Sequence, residues 1–245
     1  MTRDILTVVW KEWKELLWAG GLLRGGRVGL FILLVIFGVF LPYQTGRAWV
    51  ESAAPLFYWA WLPLMLVSGV VADSFAGERE RHTLETLLAS RLPDRAVLFG
   101  KLAAALSYGW GLVLGMLGLS LVTVNLTHRG DGLLLFAPHL AVGAPVMSFL
   151  GAGLAATAGV LVSLRAPTVR QAAQSLNVAI LLLIFIPVFG IQMLPAGLQS
   201  QLAASALSYG VSGILIAAGV VLALLDGLLL AAVLARFRRA KLILD

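Results

Sequence analysis

The chain has 245 residues, of which 60% are hydrophobic and only 12% charged, with 18 Lys and Arg against 12 Asp and Glu. Its mean hydropathy of +0.95 lies outside the range of water-soluble domains. The absence of cysteine excludes a disulfide framework and any thiolate metal or iron–sulfur site.

The first segment, Thr2–Trp18, places Leu6, Val9, Trp13, Leu16 and Leu17 on one helical stripe, with Trp10 at its edge. Arg3, Thr7, Lys11, Lys14 and Glu15 take the remaining surface. The pattern predicts an amphipathic helix lying in the membrane interface, with Trp at headgroup depth. The competing reading packs this helix on a soluble partner or on the chain's own loops. Asp4, Glu12 and Glu15, with no compact apolar run before small residues, argue against a cleaved signal peptide. Gly20-Gly21 and Gly25-Gly26 then break the helix.

Six long apolar windows follow: Val28–Tyr43, Leu56–Ala72, Leu102–Leu126, Ala137–Leu164, Leu176–Ile191 and Tyr209–Ala235. A helical crossing needs roughly 20 apolar residues. Backbone groups in hydrocarbon must be paired internally, and these runs lack the ten-residue alternation of barrel strands. The predicted class is therefore all-α, a polytopic membrane protein with six transmembrane helices. It forms one domain over residues 1–245: an interface helix and linker (1–27), a six-helix core (28–235) and a tail (236–245). Of the 18 Lys and Arg residues, all but Arg47 and Arg129 fall in Met1–Arg27, Asp73–Lys101, Arg165–Arg170 and Arg236–Asp245. The positive-inside rule then puts both termini in the cytoplasm. Anionic headgroups explain this basic surplus better than nucleic acid does.

The outer connections are short, Gln44–Pro55 and His128–Phe136. From Gln171 to Leu225 no charge occurs, a span too long for one crossing, and Gln192, Pro195, Gln199, Ser200 and Gln201 mark an outer turn within it. Leu198–Leu207 is expected to form a short helix dipping into the outer membrane face. Gly151, Ala155, Gly159 and Ser163 recur every fourth residue on crossing four, and Gly111 and Gly115 on crossing three, as small ridges for close helix contact. Packing within one subunit is favoured over a dimer seam.

Several chemistries fail on spacing. Gly100-Lys101 is followed by Leu102 and preceded five residues back by Arg95, where a phosphate loop needs Ser or Thr and Gly. No Gly-x-Ser-x-Gly elbow and no His-Glu-x-x-His occurs, and His82, His128 and His139 are too scattered for one metal site. The chain is expected to be non-catalytic and to hold no cofactor. Asp226 is the one acid inside a crossing, about 15 Å along the helix from Arg236. Its cost in hydrocarbon requires that it face protein or water, as a contact on a translocation path or as a packing residue.

The longest polar segment is Asp73–Lys101. Its run Gly77-Glu78-Arg79-Glu80-Arg81-His82-Thr83-Leu84-Glu85-Thr86-Leu87-Leu88 alternates charge and then presents Leu84, Leu87 and Leu88 at helical spacing. Thr83–Ser90 can form a two-turn helix with one apolar face, with Arg81 and Glu85 one turn apart and able to pair. Pro93 ends it and Asp94 can cap the next helix. Such a helix offers a partner an apolar face to grip and a charged flank to fix register.

This run, continued by Ala89-Ser90-Arg91-Leu92-Pro93 and Leu98-Phe99-Gly100-Lys101, resembles the signature loop of type-2 ATP-binding-cassette (ABC) transporter permeases. Trp10-Lys11-Glu12-Trp13 and Leu22-Leu23-Arg24 resemble that family's amphipathic leading helix; His82 stands where the family usually has Gly. The resemblance implies a permease subunit of an ATP-driven exporter in the cytoplasmic (inner) membrane. Two such chains, copies or paralogues, would pair, each on a cytoplasmic ATPase subunit that binds ATP and Mg. The ATPases would be felt at Glu78, Arg79, Glu80, Arg81, Thr83, Leu84, Glu85, Leu87 and Leu88, the coupling helix between crossings two and three. A path lined by crossings two and five would bring Trp59, Trp61, Met65, Asn177 and Phe185 near cargo, with Asp226 a further candidate. Accessory envelope proteins belong to the same expectation. An ATP-independent carrier or channel, or a membrane scaffold or sensor, are the competing classes; the missing inverted repeat and scarce intramembrane charge oppose a carrier.

Overall fold

The computed structural model describes residues 1–18, 26–83, 92–128 and 132–237, and these are helical with short connections. Helix α1 spans Thr2–Trp18, α2 Gly26–Val35, α3 Leu41–Thr45, α4 Arg47–Glu51, α5 Pro55–Glu80, α6 Asp94–Thr127, α7 Pro138–Ser163, α8 Val169–Gln192 and α9 Ala196–Arg236. Among the described residues, six stretches are long and apolar enough to cross a membrane: Val28–Thr45, Pro55–Glu80, Asp94–Thr127, Pro138–Ser163, Val169–Gln192 and Ser208–Arg236. Each coincides with an expected crossing. Helices α5 and α6 continue past the apolar windows into polar sequence, because backbone pairing does not stop where hydropathy does.

The first crossing is not one regular helix. A π turn over Ile36–Phe40 joins α2 to α3. There Gly38 lets Leu119 approach so closely that an added Cβ would lie 2.6 Å from its Cδ2, and the Thr123 hydroxyl donates to the Gly38 carbonyl at 2.8 Å. A π turn releases a carbonyl from regular helical pairing, and here α6 supplies the donor.

Helices α5 and α7 form the centre. The predicted ridge of crossing four lies against α5: a Cβ on Gly151 would meet the Ala60 carbonyl at 2.7 Å, and one on Gly159 would meet Val71 at 2.5 Å. Ala155 is buried, and at the end of the ridge Ser163 Oγ accepts from the Ala76 N–H (2.9 Å) and the Phe75 N–H (3.1 Å) while donating to the Ala72 carbonyl (3.1 Å). Hydrocarbon gives helices no hydrophobic drive to associate, so close backbone approach and such hydrogen bonds supply the attraction. Gly111 and Gly115 differ: a Cβ at either would meet nothing within 4 Å, so they make no such seam within the chain. Phe75, Leu98, Leu154, Leu176 and Val233 join five helices in one buried cluster, and Trp49, Trp59, Met116 and Leu140 anchor a second toward the other end.

Helix α9 contains a break. Gly210 adopts φ +65°, ψ 176°, separating residues 196–209 from the final crossing. The expected short helix over Leu198–Leu207 is thus present as the first limb of α9, and the glycine supplies a conformation that L side chains rarely adopt.

Candidate functional site at the end of the second crossing

Helix α5 ends in a Schellman motif. The Thr83 N–H bonds the Glu78 carbonyl at 2.9 Å and the His82 N–H bonds the Arg79 carbonyl at 3.1 Å. Closing that turn requires His82 to take φ +56°, the left-handed conformation for which glycine is the favoured residue. The histidine at this position therefore carries backbone strain, and the turn forms nonetheless. Pro93, not Asp94, occupies the cap position of the next helix; Asp94 is the first residue of α6.

The charged run divides inward and outward. Glu78 is buried, 4% exposed, and lies 3.2 Å from Lys11 Nζ and 3.5 Å from Lys101 Nζ. The Thr83 hydroxyl also donates to its carboxylate. Lys101 is buried as well and makes a 2.7 Å ion pair with Glu12, with its ammonium 5.5 Å from the centre of the Phe75 ring. Lys11 closes the set by pairing with Glu15 at 3.3 Å. Partial burial works against the charged form of Lys11, but Glu78, Glu15 and Glu12 outweigh it and raise the ammonium's pKa. The carboxylate oxygens of Glu12, Glu15 and Glu78 come within 4.8 Å of one another, a spacing that suits a divalent cation. Lys11 and Lys101 already supply the counter-charge there, so the arrangement reads as an ion-pair knot joining α1, α5 and α6.

Helix α1 can reach this knot because Gly100 has no side chain: a Cβ there would lie 2.5 Å from Val8. Trp13 donates from Nε1 to Ser107 Oγ at 3.1 Å. The docked face thus includes Val8, Glu12 and Trp13, while Leu6 and Trp10 stay exposed at 67% and 64%. The predicted apolar stripe is split, because charge pairing with α5 and α6 turns the helix.

Arg79 and Glu80 engage the connection between α7 and α8. Arg79 donates to the carbonyls of Ala166 (2.6 Å) and Leu164 (3.0 Å), just past the end of α7, where a cation meets the negative end of the helix dipole. Glu80 accepts from the Val169 N–H at 3.1 Å, the first residue of α8, where an anion is favoured. Arg81 pairs with Asp73 at 3.2 Å. Its expected partner Glu85 lies outside the described residues, as do Leu84, Leu87 and Leu88.

The residues expected along a path are spread over three helices. Trp61 is half-buried against the main core, Met65 four residues later is exposed, and α8 packs beside α5. On α8, Asn177 is exposed, and Phe185, 46% exposed, stacks on Phe189 at 5.6 Å. Asp226 lies elsewhere, with Oδ2 2.9 Å from where a Gly153 side chain would begin and Oδ1 buried without a partner. Trp59 is wholly buried and cannot line a surface of this conformation.

Sequence reasoning named Glu78 but missed Lys101 and Lys11 as its partners, and Glu12 as the second partner of Lys101. A signal was available: Lys101 opens a long apolar run, and Glu12 lies one turn from the apolar Val8 on helix α1.

No curated protein and no solved structure matches the chain. A family model described as ABC-2 type transporter matches residues 3–218. That match takes in nearly all of α1, the knot, the α7–α8 turn and the start of the sixth crossing, so the chain belongs to the ABC-2 type transporter family, as a membrane permease subunit.

Proposed function

We propose that this permease works as the membrane half of an ATP-driven exporter, moved by a separate cytoplasmic ATPase chain that grips residues 78–88. The single observation that supports this most is the wiring of α5's polar end. Glu78 ties to α1 and α6, and Arg79 and Glu80 tie to the ends of α7 and α8. A push on the segment that follows Thr83 would reach four other helices through short, charge-assisted contacts. Two permeases, each with one ATPase, form the working complex, with both termini on the ATPase side and the basic segments facing the cytoplasm. The exposed faces of α5 and α8, with Met65, Asn177 and Phe185, border the path between the copies, and Trp61 supports it from behind.

The test is Glu80→Ala combined with Glu85→Ala in the reconstituted complex. Transport in vesicles should fall while insertion and ATP hydrolysis persist. Transport that proceeds unchanged, or that needs no copurified ATPase, sinks the proposal and favours a self-sufficient carrier.

A further inference from the structure

Between α7 and α9 lies an open groove of about 530 Å³ that none of the preceding roles uses. The two helices run side by side in the same direction. Side chains added at Gly143, Gly219 and Gly153 would meet Leu215, Leu150 and Asp226 in turn, an almost constant register. The walls are Val142, Val146 and Leu150 from α7 and Leu215, Ile216 and Val220 from α9. Gly219 and Ala223 keep it open, and Asp226 with Gly153 lies one turn beyond its far end.

Polar groups line only one end. His139 is the second residue of α7, and by the register of the two helices it falls level with Ser212; both border the groove. His139 Nε2 is buried and has no hydrogen-bond partner. The lining from Ser212 to Ala223 covers about 16 Å of helix, close to the depth of one hydrocarbon leaflet, about 15 Å. Val142 and Ile216, at 66% and 68% exposure, flank an opening that faces sideways from two membrane-crossing helices. A water-soluble ligand does not match a groove that is apolar for a leaflet's depth, polar only where the helices begin, and open to hydrocarbon.

We propose that the α7–α9 groove is a resident lipid site. One acyl chain of a phospholipid lies along Val146, Leu150 and Val220, and the His139 ring, with no partner to hold it, turns its Nε2–H into the groove to donate to a phosphate or ester oxygen. The volume fits a small-molecule site, typically about 300–1,000 Å³. This inference does not depend on ATP-driven export, since the groove lies away from the α5–α8 face.

The probe is a lysophospholipid carrying a diazirine in its single acyl chain, added to the full-length chain with its copurifying subunits in nanodiscs. Photolabelling should saturate on peptides spanning residues 142–150 and 216–223, whereas label on the bare α8 face should rise in proportion to probe. Gly219→Leu, which fills the groove, should cut the saturable label about tenfold, a loss equivalent to about 1.4 kcal/mol. Ala223→Phe tests the same point at an exposed position should the glycine variant fold poorly. Removing the headgroup contact with His139→Leu should cost about threefold, the scale of one hydrogen bond. The proposal is overturned by groove labelling that never saturates, by labelling indifferent to all three variants, or by equal competition from glycerophosphoglycerol, which has no acyl chain.

Discussion

At its basic end the chain ties α1, α5 and α6 together through ion pairs at the buried Glu78 and Lys101, and ties α5 to the α7–α8 turn through charge-assisted hydrogen bonds. Helix α8 and the last crossing of α9 instead turn apolar side chains outward along most of their length, Leu182, Ile186, Ile216, Leu224 and Leu228 among them. Both regions are helical, and the family match covers the first and α8 of the second, so what separates them is how neighbours are held. Charge pairs specify one partner in one geometry and are costly to leave half-made. Outward apolar side chains in a bilayer accept lipid, another helix or a second subunit with little preference. The basic end is therefore set within the chain, and the outward faces of α8 and α9 are left for their surroundings to complete.

The sharpest way to break this contrast is Lys101→Met. Glu12 and Glu78 would lose a shared buried cation, and removing one partner of such a set costs about 3–5 kcal/mol. Thermal unfolding in detergent should shift down strongly, and cysteine pairs placed across α1 and α6 should cross-link poorly. Recovery of both readouts in Lys101→Met with Glu12→Gln would show that the penalty is the stranded carboxylate. Next in size is Gly151→Leu, which drives a side chain at the Ala60 carbonyl and should cost about 1–3 kcal/mol. The matched change Gly111→Leu, where an added side chain meets open space, should leave stability within about 0.5 kcal/mol. Equal losses at the two glycines would contradict the division into packed and open faces.

His82→Gly should act in the opposite direction. Relieving a left-handed non-glycine residue is worth about 1–2 kcal/mol, so the variant should unfold at higher temperature. No change would mean that His82 does not keep φ +56° in solution. Smallest is Ile186→Ala on the bare face of α8. Measured on the isolated chain it should move stability by no more than about 0.5 kcal/mol. A larger loss in the assembled complex than in the isolated chain would locate a subunit contact there.

Much of this was readable in the residues. Hydropathy windows found all six crossings because a membrane helix must carry its apolar run in consecutive positions, visible without knowing its neighbours. The ridge Gly151, Ala155, Gly159 and Ser163 was legible for the same reason: one helix's own period lays it out. Gly111 and Gly115 show the limit, since an equal pattern faces no partner. Helix α1 shows it again. Its hydrophobic period pointed to a stripe through Leu6 and Trp13, whereas ion pairs to residues 67 and 89 positions away, Glu78 from Lys11 and Lys101 from Glu12, set the docked face.

By itself the sequence determined the class, the number and order of crossings, the charge asymmetry and the charged run at Gly77–Leu88, because each is a local property of consecutive residues. Only the tertiary structure decided that Glu78 turns inward to Lys101, that Arg79 and Glu80 hold the ends of two other helices, and that α7 and α9 leave a groove beside His139. Those outcomes depend on distances between residues far apart in the chain, and helical period carries no information about which neighbour will meet a given face.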